Sequence, residues 1–285
     1  MTASAAQRTI ARPVTVTGTG LHTGEPVTAR LLPAPEHHGV TFRRADVPGA
    51  SVIPACLGEV VATDRGVVLG RRVPVATVEH LLSAARGLGI DNLAVEVEGE
   101  ELPCGDGSAQ IFVDALGRAG TVAQAAARSP IALTAPVWVG GGASVIVALP
   151  APRLQVTYIA TANGVALAPQ MAEFDADRDD YATTIAPART WGLLAEAEQL
   201  RARGLARGAS LATTLVIGVE GFINEPRFPN EMARHKILDA LGDLSLLGRP
   251  LHAQILAVRA GHGLHIALAR AIARQTGAGD GSQDT

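Results

Sequence analysis

The chain has 285 residues, enough for one large domain or two packed domains and too many for a small peptide-like module. Its 24 Lys and Arg residues against 27 Asp and Glu residues give a formal net charge of -3, which is near zero and of the wrong sign for a protein that binds nucleic acid or anionic lipid. Aromatic residues make up only 3% of the chain, so aliphatic side chains must fill the core, as they do in α/β and α+β enzymes.

The first residues indicate where in the cell the protein works, and the cysteines indicate which side chains can bind a metal. Residues 1–16 contain no apolar segment behind a basic start, so no secretory signal is predicted, and no apolar run reaches the roughly 18 residues needed to cross a bilayer. We therefore expect a cytoplasmic protein without stable membrane insertion. Cys56 and Cys104 fit no CxxC or zinc-ribbon spacing, so any metal site must rely on His and carboxylate ligands.

The N-terminal half predicts short strands and two helices. Residues 12–32 alternate between apolar and polar side chains on both sides of the glycine-rich turn 18–24, which predicts a β-hairpin. The turn is not a dinucleotide-binding fingerprint, because its glycines are spaced one residue too far apart and a strand-like segment follows in place of a helix. Further strands are predicted at 39–43, 66–73 and 93–97, and helices at 78–86 and 109–119.

A weakly patterned segment at 117–130, rich in small residues, predicts a linker between two domains, which we place at residues 1–125 and 126–275. The second domain repeats the mixture of strands and helices. Strands are predicted at 136–139, 144–148, 155–159, 213–217 and 253–259, and helices at 193–203, 231–247 and 264–274. Residues 276–285 are small or polar, so a disordered tail is predicted.

The helix predicted at 231–247 carries a row of polar side chains behind Asn230, its expected N-cap. His235 and Asp239 are four residues apart, which places them on one face with Cβ atoms about 5–6 Å apart, close enough to share one cation. Asp243 continues the row by one more turn. Taken alone, such a His/Asp pair is more often an ordinary surface hydrogen bond than a metal site.

A second polar pair begins the helix predicted at 78–86. Thr77 is the expected N-cap and Gly87 the expected stop, and Glu79 and His80 lie in the first turn. Alone, this dipeptide is more typical of a solvated glutamate beside a structural histidine. If the two helices pack together, however, two histidines and one aspartate complete three protein ligands and leave a tetrahedral zinc ion one open position.

A third group of candidate functional residues lies between the strand predicted at 253–259 and the last helix. His262 at this junction can act as an acid or an oxyanion partner, and His265 is equally well interpreted as a surface histidine; taken alone, neither indicates catalysis. Ser108 is interpreted as a turn residue rather than a nucleophile. The sequence contains no serine-nucleophile elbow, P-loop, H-E-x-x-H or CxxC motif, which leaves metal-assisted hydrolysis as the favoured chemistry.

Several motifs occur in the order expected for one known family. They are the turn 18–24, Thr77-Val78-Glu79-His80-Leu81-Leu82, segments 87–92, 106–109, 188–192 and 234–243, and Gly261-His262. On these motifs the chain, from about residue 12 to residue 273, resembles the UDP-3-O-acyl-N-acetylglucosamine deacetylases, zinc enzymes of lipid A and thus lipopolysaccharide biosynthesis. The resemblance implies an α+β fold with two domains of similar topology, each a mixed sheet packed against helices, and an active site at the domain interface.

The resemblance also implies roles in hydrolysis. One zinc ion per chain would be bound by three ligands: His80, His235 and Asp239. Glu79 would deprotonate the water that attacks the acetamide carbonyl. His262, oriented by Asp243, would stabilise the oxyanion and protonate the leaving amine.

The remaining implied roles concern the substrate, an acylated UDP-amino sugar. Thr190 would help to hold the oxyanion, Lys236 would contribute charge near the zinc ion and the substrate phosphate, and Trp191 would form an aromatic wall in the place of the family's phenylalanine. The enzyme would remove the N-acetyl group of UDP-3-O-(3-hydroxyacyl)-N-acetylglucosamine. We expect it to act as a monomer.

Besides Trp191, the chain departs from the family pattern in three places. Residues 66–69 replace a polar Ser/Thr pair, His265 and Ile266 stand where the family has two asparagines, and Thr213 and Thr214 lie in the segment expected to form the acyl-chain passage. Two alternatives therefore stay open. One is a deacetylase of a different N-acetylated sugar nucleotide, and the other is a catalytically silent sugar-nucleotide binding protein on the same scaffold.

Overall fold

Two mixed sheets form the framework of the protein, and one apolar core joins them. The computed structural model describes residues 5–278. The strands of the N-terminal half are β1 Ala6–Ile10, β2 Val14–Thr19, β3 Pro26–Pro33, β4 Val40–Arg44, β5 Ile53–Pro54, β6 Val60–Ala62, β7 Val68–Leu69, β8 Val75–Ala76 and β9 Leu93–Glu98. Those of the C-terminal half are β10 Thr121–Ala127, β11 Ile131–Ala132, β12 Val137–Gly141, β13 Ser144–Pro150, β14 Gln155–Ala160, β15 Gln170–Asp175, β16 Trp191–Leu193, β17 Leu215–Gly218, β18 Gly221–Phe222 and β19 Leu251–Val258.

The helices cover the sheets and lie between them. They are α1 Glu79–Gly87, α2 Gln110–Ala119, α3 Tyr181–Thr184, α4 Ala197–Ala202, α5 Glu231–Leu244 and α6 His262–Thr276, with short 3-10 turns at Leu57–Glu59, Leu194–Glu196 and Ser245–Leu247. Within residues 5–278, no helix has the length and apolar composition of a bilayer-spanning segment.

The two sheets have the same topology. The first has the order β2-β3-β9-β4-β5 and the second has the order β12-β13-β19-β14-β15. In the first sheet β9 runs parallel to β4, and in the second β19 runs parallel to β14, whereas the other neighbours along each order are antiparallel. In the first unit α1 precedes β9 in the chain and α2 follows it. In the second unit α5 precedes β19 and α6 follows it. This arrangement confirms the expected α+β fold with two units of similar topology, while the domain limits 1–125 and 126–275 stay predictions.

Helices α1 and α5 pack directly against each other and so join the two units. Helix α5 is buried on nearly all sides, and of its side chains only those of Arg234 and Lys236 are partly exposed. A helix buried all round is expected to be apolar, yet α5 carries His235, Asp239 and Asp243. Because buried polar groups cost free energy unless they are paired, these three side chains need partners inside the protein.

Three predictions on the N-terminal half and the boundary differ from the structure. The segment predicted as a linker contains β10, which pairs antiparallel with β1, so it is part of a sheet. Thr77 is not the N-cap of α1: Val78 occupies that position, and the Thr77 hydroxyl donates to the buried carboxylate of Glu101 at 2.9 Å. The strand predicted at 66–73 shortens to β7, which pairs with β6 and β8.

Three details of the C-terminal half also differ from prediction. Strand β15 was not predicted, although it completes the second sheet beside β14. Asn230 does occupy the N-cap position of α5, but its side chain bonds Met171 O and Arg234 instead of the helix backbone. The disordered tail predicted at 276–285 is wrong at its start, because α6 includes Thr276 and Ala278 is buried; the rest of that prediction, residues 279–285, lies outside the described residues.

The contact between α1 and α5 depends on Gly242. A side-chain carbon at this position would overlap the carbonyl oxygen of Glu79, which belongs to the backbone of α1 and cannot turn away. We expect Gly242→Ala to lower the free energy of unfolding by about 3 kcal/mol or more, as overpacking against backbone does. Urea denaturation measures this change.

Gly117 provides the matched control, because it lies in α2 and a side-chain carbon there would meet nothing within 4 Å. Gly117→Ala is expected to raise the free energy of unfolding by roughly 0.5–1 kcal/mol through helix propensity. Equal stabilities of the two variants would contradict the close approach of α1 and α5.

Candidate active site

Helices α1 and α5 bring polar side chains from both units to one place. Glu79 and His80 are the first two residues of α1, and His235, Asp239 and Asp243 follow one another at four-residue intervals along α5. Residues four apart on an α-helix share one face, so the three side chains of α5 form a single row. All five side chains are buried.

The ligand atoms of His80, His235 and Asp239 lie within 4.8 Å of one another. The Nε2 atom of His235 is 3.4 Å from Oδ1 of Asp239, and that of His80 is 3.8 Å from the same oxygen. In a tetrahedral zinc site with ligands about 2.0–2.1 Å from the ion, the ligand atoms are about 3.3 Å apart. The three side chains therefore have nearly the spacing that one zinc ion requires.

Hydrogen bonds on the far side of two ligands determine which atoms face the cluster. Nδ1 of His235 lies 3.1 Å from Ala188 O, so it donates there and leaves Nε2 free to bind a cation. Lys236 Nζ donates to Oδ2 of Asp239 at 2.8 Å and so leaves Oδ1 toward the two imidazoles. This arrangement favours a carboxylate that binds through one oxygen.

Burial and neighbouring charges set the protonation states of the three ligands. Burial lowers the pKa of His235 and lowers the pKa of His80 to about 3, so both imidazoles are neutral at pH 7. Burial alone would raise the pKa of Asp239, but the charge that His235 carries when its ring is protonated at low pH, together with the charge of Lys236, outweighs it and holds the pKa well below its usual range. Neutral imidazole and ionised carboxylate are the forms that bind zinc.

Glu79 lies beside this cluster as a buried carboxyl group. Its Oε2 accepts a hydrogen bond from Val67 N at 2.9 Å, and a side-chain carbon added at Gly66 would lie 3.0 Å from Oε1. Burial is the main cause that raises the pKa of Glu79 to about 7, although the charge of His262 acts against it. The unusual segment 66–69 therefore supplies a backbone donor to this carboxyl group and leaves space next to it.

His262 is the first residue of α6, and a carboxylate holds its ring. Nδ1 is 2.8 Å from Oδ2 of Asp243, and Nε2 is 3.7 Å from Oδ2 of Asp239. Burial alone would lower the pKa of His262, but the charges of Asp243 and Asp239 outweigh it and raise the pKa to about 9. His262 can therefore hold both ring protons at neutral pH, with Nε2 on the side of the cluster.

Thr190 and Trp191 come from the chain that leads into β16. Arg189, just before them, forms a buried ion pair with Glu231 at the start of α5, with Nε and Oε1 2.9 Å apart. This ion pair fixes the segment against the helix that carries the cluster. Lys236 Nζ lies 5.6 Å from the centre of the Trp191 ring, within the range of a cation–π interaction.

These side chains meet in one cavity of about 310 Å³. Eight of the nine residues predicted from the sequence border it: Glu79, His80, Thr190, Trp191, His235, Lys236, Asp239 and His262. The ninth, Asp243, is bonded to the His262 ring. A second cavity of about 430 Å³ lies beside Arg86 at the other end of α1, and none of the nine residues borders it. The smaller cavity is therefore the candidate active site.

Comparison with known proteins agrees with this geometry. The family model described as LpxC, UDP-3-O-acyl N-acetylglycosamine deacetylase, matches residues 7–274. The chain belongs to this family. Curated relatives named UDP-3-O-acyl-N-acetylglucosamine deacetylase include those of Thermosynechococcus vestitus, 42% identical over 94% of this chain and 94% of the relative, and Trichormus variabilis, 40% identical over 93% and 98%. A third, from Myxococcus xanthus, is 39% identical over 93% of this chain and 86% of the relative. The region matched by the family includes all nine candidate residues.

Two residues that contact one another behind Asp243 were missed in the sequence. His265, interpreted as a surface histidine, is fully buried, and its Nδ1 lies 2.7 Å from Oδ2 of Asp243. The hydroxyl of Tyr158 lies 3.0 Å from Nε2 of the same ring. The spacing of His262 and His265 was the available signal, because residues three apart share a helix face.

Proposed function

We propose that this protein hydrolyses the N-acetyl group of UDP-3-O-(3-hydroxyacyl)-N-acetylglucosamine in a zinc-dependent reaction, an early step of lipid A biosynthesis. One observation carries the proposal: three buried ligands for a single cation and a buried carboxyl group border one cavity, in a member of a family described as deacetylases. We infer the substrate from the names of the relatives and the type of reaction from the side chains that border the cavity. We further propose that the enzyme acts as a monomer in the cytoplasm.

The donor set fits one zinc ion per chain. Imidazole nitrogen and carboxylate oxygen are typical zinc ligands, and a catalytic zinc site uses three protein ligands and keeps one position open. His80, His235 and Asp239 would hold the ion. When bound, zinc acts as a Lewis acid, because it polarises an amide carbonyl and makes a water molecule more acidic.

Glu79 and His262 are placed to move the protons of amide hydrolysis. Water adds to the acetamide carbonyl carbon, the C–N bond breaks, and acetate and the free amine leave. Glu79, with a pKa of about 7, takes a proton from the water near neutral pH. His262, held by Asp243, gives a proton to the amine nitrogen. The reaction balances without a covalent intermediate on the protein.

Three further side chains are proposed to act on the substrate. The Thr190 hydroxyl donates to the carbonyl oxygen as negative charge develops on it. Lys236 borders the cavity and is partly exposed, so its ammonium group can pair with a substrate phosphate. Trp191 places an aromatic ring on the same side of the cavity as Lys236.

A different N-acetylated sugar nucleotide is the second candidate substrate. It is favoured by Thr214, whose hydroxyl is buried in the segment expected to form the acyl passage and has no hydrogen-bond partner within residues 5–278. The unpaired hydroxyl of Thr214 disfavours a fatty-acyl chain beside it, because the acyl chain offers the hydroxyl no hydrogen bond. Equal hydrolysis of acylated and non-acylated UDP-N-acetylglucosamine would favour this second substrate.

The direct test is mass spectrometry of the reaction of the zinc-loaded protein with excess acylated UDP-N-acetylglucosamine. We expect the sugar nucleotide to lose the mass of one acetyl group, with one acetate released per amine formed. Chelation should stop the reaction and readdition of zinc should restore it. Activity that persists after complete removal of metal would contradict the zinc mechanism, and a bound but unconverted substrate would support a silent binding protein instead.

A further inference from the structure

A second histidine lies behind the His262–Asp243 pair. His265 is in the first turn of α6 and is fully buried. Its Nδ1 is 2.7 Å from Oδ2 of Asp243, the same oxygen that lies 2.8 Å from Nδ1 of His262. The two rings therefore share one carboxylate oxygen from two directions, with their planes 74° apart.

The outer side of His265 is bonded as well. Its Nε2 lies 3.0 Å from the hydroxyl oxygen of Tyr158, a buried residue of β14. The single hydroxyl hydrogen of Tyr158 is donated to Ala260 O, which can only accept. The Tyr158 hydroxyl therefore lies between Nε2 of His265 and the backbone carbonyl of Ala260.

The inner nitrogen of His265 is the one that donates to Asp243. Asp243 is held in its ionised form, because the charge and hydrogen bond of His262 and the hydrogen bond of His265 outweigh the opposite effect of burial and lower its pKa. An ionised carboxylate only accepts, so Nδ1 of His265 must donate to it. His265 thus donates to Asp243 through Nδ1 and lies between Asp243 and Tyr158.

The other oxygen of Asp243 explains why this bond matters. Oδ1 is buried and has no hydrogen-bond partner within residues 5–278. The orientation of the carboxylate therefore depends on the hydrogen bonds of Oδ2, which are made with His262 and His265. Without His265, the His262 ring is the one remaining side-chain donor among the described residues, and the carboxylate can rotate about its own bond.

We propose that His265 is a positioning residue for the deacetylation step: it fixes the Asp243 carboxylate, and through it the ring of His262, at the open side of the cluster. This inference rests on the proposed function. The chain of contacts continues through Tyr158 to Ala260 O, just beyond the end of β19, so it ties the strand that precedes His262 to the helix that carries the metal ligands. His265 itself does not border the cavity.

Substitutions at position 265 separate this role from simple packing. His265→Leu fills the space and donates no hydrogen bond, whereas His265→Asn places an amide N–H where Nδ1 now donates to Asp243. We expect His265→Leu to lower kcat by about 10–100-fold with little change in KM or zinc content, as loss of an outer hydrogen-bond partner does. His265→Asn should recover kcat to within about fivefold of the parent. His252→Leu, a partly exposed histidine on β19, is the matched control and should leave kcat unchanged.

A spectroscopic readout tests the geometry without a substrate. In ring-labelled ¹⁵N-histidine spectra, we expect Nδ1 of His265 to carry the hydrogen that is donated to Asp243, and the signals of this ring to vanish in His265→Asn. If the parent protein had no deacetylase activity, the proposed function would be wrong. The ring signals would still show whether His265 donates to Asp243. An unprotonated Nδ1 on His265, or equal kcat values for the Leu and Asn variants, would overturn the positioning role.

Discussion

Replacing Glu79 by glutamine is expected to lower turnover of the acylated UDP-amino sugar by about 100-fold or more, as loss of a general base does. The amide has the size of the carboxylate and can still accept the hydrogen bond from Val67 N, which now measures 2.9 Å. It cannot take a proton from water. The neighbouring ligand His80 keeps its place on α1, so zinc content should stay at about one ion per chain.

Acetate release under steady-state conditions measures the turnover of Glu79→Gln, and elemental analysis of the same sample measures its zinc. Glu98→Gln on β9 is the control, because Glu98 is exposed and lies in the first sheet away from the cavity. Turnover within about threefold of the parent would remove Glu79 from its proposed role as the base. A loss of zinc would instead show that Glu79 supports the metal site.

Replacing His235 by alanine is expected to abolish both zinc binding and deacetylation. Nε2 of His235 is one of three candidate ligand atoms, and a histidine and an aspartate alone leave a zinc ion without the three protein ligands typical of a catalytic site. We expect the zinc content to fall from about one ion per chain to below about one tenth after dialysis. Acetate release should fall to the level of the chelated parent.

The control for His235→Ala is His252→Ala, which removes a histidine from β19 outside the cavity. Circular dichroism of both variants checks that the helices persist, since His235 is buried and its removal leaves a space in α5. If His235→Ala retained stoichiometric zinc and turnover, the ion would have to bind elsewhere, and the proposed ligand set would be wrong.

Local sequence patterns predicted those parts of the fold whose residues carry their own signal. The alternation around the turn 18–24 predicted the pairing of β2 with β3, and the four-residue spacing of His235 and Asp239 predicted their common face on α5. Strand β10 was not predictable in this way. Its sequence, Thr121–Ala127, is rich in alanine and poor in β-branched residues, so its structure depends on pairing with β1, more than 100 residues earlier.

Within the site, the sequence predicted which residues meet but not how they are held. Thr77 has the composition of an N-cap, yet a carboxylate from Glu101 binds its hydroxyl, and no local pattern indicates that contact. The hydrogen bond from Val67 to Glu79 is made by the backbone and therefore leaves no trace in residue type. The burial of His265 likewise depends on Asp243, which lies 22 residues away on another helix.

The proposed reaction depends on a single ion held between α1 and α5. Diffraction from crystals of the zinc-loaded protein, recorded on both sides of the zinc absorption edge, locates that ion without reference to activity. We predict one strong anomalous peak per chain, about 2.0–2.1 Å from Nε2 of His80, Nε2 of His235 and a carboxylate oxygen of Asp239. A stoichiometric peak at any other set of side chains, or no peak at these three in fully loaded protein, would contradict the account.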